Sequence, residues 1–158
     1  MKAFALENLM PELLDLFGNT SKVVRAVTDA ALRDHGLRLG QDHLLAALWR
    51  RDGQTPGEIA VALRVTTPAI TKGATVLEKS GLLERRADDR DNRLVRLWLS
   101  EKGRALQRPV EETRLQVEER LTTALSSAEM KALVRSLEKL LVAGSDILAP
   151  RHEIDDHE

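Results

Sequence analysis

Thr67, Thr71, Lys72 and Thr75 place three hydroxyls and an ammonium at helical spacing, and Arg85, Arg86, Arg90, Arg93 and Arg96 follow closely behind them. These groups suit one chemistry. Short hydroxyl side chains can approach phosphates or base edges, and lysine and arginine add charge-assisted contacts to phosphate oxygens. A charge run alone is ordinarily a solvated face. Here the arginines surround a turn between two apolar segments, Leu82-Leu83 and Leu94 to Leu99, so they fall on a hairpin that could reach a groove. Arg90 and Arg93 are expected at its tip, over a minor groove whose negative potential is strongest where it is narrow. Arg85, Arg86 and Arg96 are expected on the strands, flanking the nucleic-acid backbone. Asp91 would be repelled by phosphates and is read as the partner that orients Arg93.

The elements that position these residues are also legible. Thr55-Pro56-Gly57-Glu58 is a capping box with proline at the first helical position, so a helix starts there. After Arg64-Val65-Thr66, the pair Thr67-Pro68 repeats the pattern, which predicts a second helix capped by Thr67. Ile70, Ala74 and Leu77 form its inner face and leave Thr67, Thr71, Lys72 and Thr75 largely on the other side. Gly81 is the expected stop.

Taken in order, these residues resemble the MarR family of bacterial transcriptional regulators. The resemblance is carried by Leu77-Glu78 and Gly81-Leu82 at the end of the recognition helix, Arg85 at the start of the wing, Asp91 and Arg93 at its tip, and Leu99-Ser100-Glu101-Lys102-Gly103 opening the next helix. Gly73 and Val76 depart from the pattern, standing where the family tends to carry a larger apolar residue and a polar or basic one. Gly73 costs about 1 kcal/mol of helix propensity relative to alanine, which predicts a looser helix or a closer neighbour. The implied fold is mainly α with a small β-hairpin wing, a winged helix-turn-helix flanked by N- and C-terminal dimerisation helices. The implied function is a repressor that binds a palindromic DNA operator as a homodimer. A small aromatic or phenolic effector, bound between the dimer helices and the reading heads, would release it.

Composition is compatible with this. The 158 residues are 42% hydrophobic, enough for one compact core, and contain no cysteine, which excludes disulfides, thiolate metal sites and thiol-based redox sensing. The net charge of −1 is unevenly spread: residues 66–104 carry nine Lys/Arg against six Asp/Glu, and residues 105–158 carry seven against eleven. Phosphate binding responds to the local field, so near-neutrality overall does not exclude DNA. No apolar run is long enough to span a membrane and no leader pattern is read, so the expected location is cytoplasmic.

Around the reading head the chain is helical. Residues 1–36 and 101–149 read as the dimerisation region, 37–100 as the DNA-binding domain and 150–158 as a flexible acidic tail. Leu13, Leu14, Leu16, Phe17, Val23, Val24, Val27 and Leu32 mark the first helical region. The pattern leaves open whether Gly18 interrupts it. A long helix from Ser100 is expected to bend at Pro109, and Ser126-Ser127-Ala128-Glu129 caps the last one. The terminal stripes could cover one another within a monomer; the resemblance implies that they pack across a two-fold axis instead.

Arg25 and His43 stand on the helices that would line an effector pocket, although a surface arginine and a solvated or core-capping histidine are the plainer readings. Trp49 and Trp98 read as core. No constellation supports catalysis, since four histidines without cysteine offer no nucleophile-and-base spacing. His152 and His157, beside Asp155 and Asp156, read as an acidic tail, so neither a metal nor a cofactor is assigned. The competing function class is a winged-helix module that binds another protein rather than DNA.

Overall fold

The computed structural model describes residues 10–148; the expected acidic tail, 150–158, lies outside them. The described elements are α1 (Met10–Leu32), a 3-10 turn (Arg33–His35), α2 (Gln41–Arg50), α3 (Pro56–Leu63), α4 (Thr67–Lys79), β1 (Leu83–Ala87), β2 (Val95–Leu99), α5 (Glu101–Ala105), α6 (Gln107–Thr122) and α7 (Ser127–Leu148). The fold is therefore mostly helical with one antiparallel hairpin, a winged helix-turn-helix. Contacts divide the chain after Glu118 into two compact units. Among the described residues no helix is long and apolar enough to cross a membrane.

Gly18 lies inside α1 and does not break it. The helix instead passes into the 3-10 turn, which Gly36 closes at φ 70°, a left-handed conformation that favours glycine. The core of the first unit then forms from Leu32, Leu37, Leu44, Leu45, Leu48, Ile59, Ile70, Leu77, Leu83, Leu97, Leu99 and Val110, all buried. These come from α1, α2, α3, α4, both strands and α6, with Leu37 from the loop before α2, so the reading head and its support share one apolar centre.

The expected single helix bent at Pro109 is corrected to two helices, α5 and α6, separated at Leu106. The reason is local: proline lacks the N–H that would bond the carbonyl four residues back, here Ala105, and its ring crowds that carbonyl. α5 stops there. Its start is fixed by Ser100, whose hydroxyl accepts from the Gly103 N–H at 3.0 Å and donates to the Gly81 carbonyl at 2.6 Å. Gly103 lies so close to the start of β1 that a Cβ would come 2.0 Å from the Leu82 carbonyl oxygen. That approach explains the glycine in the Ser-Glu-Lys-Gly sequence.

Candidate nucleic-acid interface

α3 starts as expected, with Thr55 accepting from Glu58 N–H at 3.2 Å and the Glu58 carboxylate accepting from Thr55 N–H at 2.8 Å. The turn into α4 passes through Arg64 at φ 55°. The cap of α4 differs from expectation. Thr66, with extended backbone, accepts from Ala69 N–H, and Thr67 is already the first helical residue. Pro68 then occupies the second position, where no intrahelical donor is required.

Ile70, Ala74 and Leu77 are buried, while Thr67, Thr71 and Lys72 are exposed and Thr75 is half-buried. The Thr71 hydroxyl donates to the Thr67 carbonyl at 3.1 Å, and that of Thr75 to the Thr71 carbonyl at 2.9 Å. Lys72 has no side-chain partner among the described residues. Gly73 sits against α2, where a Cβ would meet Leu44 Cδ1 at an ordinary 3.4 Å.

Arg85 joins the wing to this helix. Its Nη2 donates to the Thr71 carbonyl at 3.1 Å and to Thr75 Oγ1 at 2.9 Å, and its Nε lies 3.8 Å from Glu78. Arg86 pairs with Glu84 at 2.9 Å and stacks 5.4 Å from the Trp98 ring centre. Trp98 packs on Gly53, and Trp49 donates to the Gly103 carbonyl at 2.9 Å, so both indoles are structural.

The hairpin pairs Leu83 with Leu99 and Ala87 with Val95. Asp88 organises the turn beyond it: Oδ1 accepts from Arg90 N–H at 2.9 Å and Asp91 N–H at 3.0 Å, and Oδ2 accepts from Arg96 Nε. The Arg96 hydrogen bond, then those two backbone donors, hold the Asp88 carboxyl down at about 2. Arg96, expected to flank a nucleic-acid backbone, is also engaged within the fold. Its Nη1 also donates to the Gly53 carbonyl at 2.9 Å and to Glu58 at 3.3 Å, so the guanidinium binds the wing to the start of α3. At the tip, Asp91 accepts from Arg93 Nε at 3.0 Å, Arg93 Nη2 at 3.2 Å and Arg93 N–H at 3.0 Å. The Arg93 hydrogen bonds lower the Asp91 pKa. Arg93 nonetheless remains 90% exposed, and the Arg90 side chain is exposed beside it.

Arg25 and His43 are brought together on a cavity of about 790 Å³ whose wall also includes Val24, Leu44, Lys72 and Arg114. Among the described residues no carboxylate lines it. Sequence reasoning missed two long-range contacts. Asp42 is fully buried and paired with Arg114 at 2.8 Å, and His35 Nε2 lies 2.7 Å from Thr113 Oγ1. Nothing local connects residues so far apart in the chain. Asp88 did carry a local signal, because an aspartate ahead of a polar turn commonly accepts from the N–H two residues on.

Residues 37–95 match the MarR family model. Over 86 residues the chain is 37% identical to the transcriptional repressor MprA of Escherichia coli (strain K12), an alignment covering 54% of this chain. The chain thus spans about half, 49%, of that curated relative's length. Among solved structures it is similar to MepR of S. aureus in its DNA complex, with a TM-score of 0.75 and 28% identity over 81% of this chain and 95% of the other. It is also similar in fold to the transcriptional regulator SlyA, with a TM-score of 0.76 and 19% identity over 85% and 94% of the two chains.

Proposed function

We propose, for a chain whose residues 37–95 form a MarR-family winged helix-turn-helix domain, that it is a sequence-specific DNA-binding transcriptional regulator acting as a homodimer on a palindromic operator. The observation that carries this reading is the coupling of two exposed surfaces. Thr67, Thr71 and Lys72 stand on α4, Arg85 ties that helix to the wing, and the wing presents Arg90 and Arg93 at its tip. A helix for the major groove and a tip for the adjacent minor groove are thereby held as one body. Arg86 supplements them on β1.

The dimer is supported by apolar stripes that are exposed among the described residues. α7 buries none of its residues, and Leu133, Leu137, Leu140 and Leu141 are all exposed along it. α1 likewise exposes Leu13, Leu14, Leu16 and Val23. Surfaces of this kind mark association sites, and a two-fold arrangement would present two reading heads to a palindrome. In this reading residues 1–36 and 101–149 form the dimerisation region.

The regulator represses, and a small organic anion lowers its DNA affinity by occupying the cavity beside α4. The basic side chains of Arg25, Lys72 and Arg114 on its wall, beside His43, Thr28 and Gln41 and among apolar side chains, favour an aromatic or phenolic acid.

A mobility-shift assay with DNA from upstream of the chain's own gene, against a scrambled duplex, tests the DNA reading. Preferential retardation of the upstream fragment is expected; equal or no binding of the two would leave a protein-binding module as the better account. Sedimentation tests the assembly, with a dimer expected at micromolar concentration and a soluble monomer contradicting it.

A further inference from the structure

A threonine hydroxyl carries one proton and two lone pairs, so on a DNA-reading helix it can ordinarily either give or take a hydrogen bond. On α4 that freedom is narrowed. A carbonyl can only accept, so the contact of Thr75 Oγ1 with the Thr71 carbonyl at 2.9 Å commits the Thr75 proton. The contact of Thr71 Oγ1 with the Thr67 carbonyl at 3.1 Å commits the Thr71 proton in the same way. A guanidinium can only donate, so Arg85 Nη2, 2.9 Å from Thr75 Oγ1, takes one of the Thr75 lone pairs. Thr75 is left with a single lone pair and Thr71 with two. Both hydroxyl protons are directed to carbonyls of the helix itself.

We propose that Thr71 and Thr75 form an acceptor-only reader, selecting base pairs that bring an exocyclic amine, adenine N6 or cytosine N4, to the hydroxyl oxygen. Thymine O4 or guanine O6 at the same point would face an oxygen lone pair with no proton between them, and one acceptor would be left unsatisfied. Arg85 is a positioning residue in this scheme. By also reaching the Thr71 carbonyl at 3.1 Å it pins the Thr75 side chain against the helix, where the remaining lone pair keeps one direction. The inference rests on α4 being the helix that enters the groove.

The test begins with duplexes selected from a randomised double-stranded library by the full chain and by its Thr71→Val and Thr75→Val variants, each checked for an unchanged melting temperature. Base positions whose preference collapses in a valine variant are those its threonine reads. At such a position, removing the amine alone, with purine for adenine or 2-pyrimidinone for cytosine, should weaken wild-type binding about two- to tenfold. It should leave the valine variant unaffected. Removing the partner's carbonyl should change neither. A loss on removing the carbonyl, and not the amine, would overturn the acceptor-only assignment while leaving α4 in the groove. Finding no position that responds to either valine substitution would overturn the placement of α4 itself.

Discussion

Arg96 is bonded to Asp88 where the paired strands of the wing give way to its turn, and that contact makes an arginine of the hairpin part of its frame. Arg93, three residues earlier, is 90% exposed, whereas Arg96 is 30% exposed and also bonds Gly53 and Glu58. Two basic residues of one hairpin therefore have different surroundings.

The Asp88 carboxyl lies at about 2, below its ordinary 3.8. A carboxylate depressed on folding contributes stability that is fully present above the unfolded value and is lost as pH falls through the folded one. This contribution should therefore disappear between about pH 4 and pH 2. Asp88→Asn should unfold at lower urea concentration than wild type at neutral pH, with the gap narrowing across that acidic window. Urea midpoints at neutral pH and near pH 3 check this, and a constant gap would contradict it.

Arg93→Ala should weaken operator binding by about 1–3 kcal/mol and leave the urea midpoint unchanged. Arg96→Ala should lower the midpoint. Fluorescence anisotropy and urea titration on the same preparations separate the two effects. Wild-type DNA affinity in Arg93→Ala would remove the wing tip from the interface.

Two glycines should respond with opposite sign. Gly103→Ala drives a methyl to 2.0 Å from a backbone oxygen, which cannot swing aside as a side chain could. A loss of about 1–3 kcal/mol or more is expected. Gly73→Ala meets only Leu44 Cδ1 at 3.4 Å, and the gain in helix propensity should stabilise by up to about 1 kcal/mol. Denaturant unfolding measures both.

An organic anion such as benzoate should raise the melting temperature of the wild type in a dose-dependent way, because binding to the folded state alone stabilises it. Arg25→Ala should blunt the rise, and the uncharged benzamide should produce none. Equal shifts with benzoate and benzamide would contradict a cationic effector site.

Local chemistry made much of this architecture legible. The Thr55/Glu58 capping box, the inner face of Ile70, Ala74 and Leu77, and the hairpin around Asp91 and Arg93 follow from spacings of a few residues. The cap of α4 was harder to read, because Thr66 and Thr67 both precede Pro68 and the choice depends on backbone angles: Thr66 is extended at ψ 148°. Gly18 was open because a single glycine costs a helix little enough for its surroundings to decide.

The contacts that assign roles were not legible. Arg96 carries the same charge as Arg93, and only the folded positions of Asp88, Gly53 and Glu58 turn it inward. The Asp42–Arg114 pair spans 72 residues, and the approach of Gly103 to Leu82 depends on how α5 leaves the hairpin. Periodicity identifies which face of a helix is polar. It does not tell which polar groups already have partners.

Lys72 gives the most direct test of the central claim, because its ammonium is exposed on α4 and has no partner among the described residues. The measurement is anisotropy titration of wild type and Lys72→Ala on operator and scrambled duplexes at several salt concentrations. If α4 lies in the groove with Lys72 on a phosphate, the substitution weakens binding to both duplexes about equally and makes the slope of log K against log salt shallower by about one. An unchanged affinity and an unchanged slope would contradict the placement of α4 against DNA.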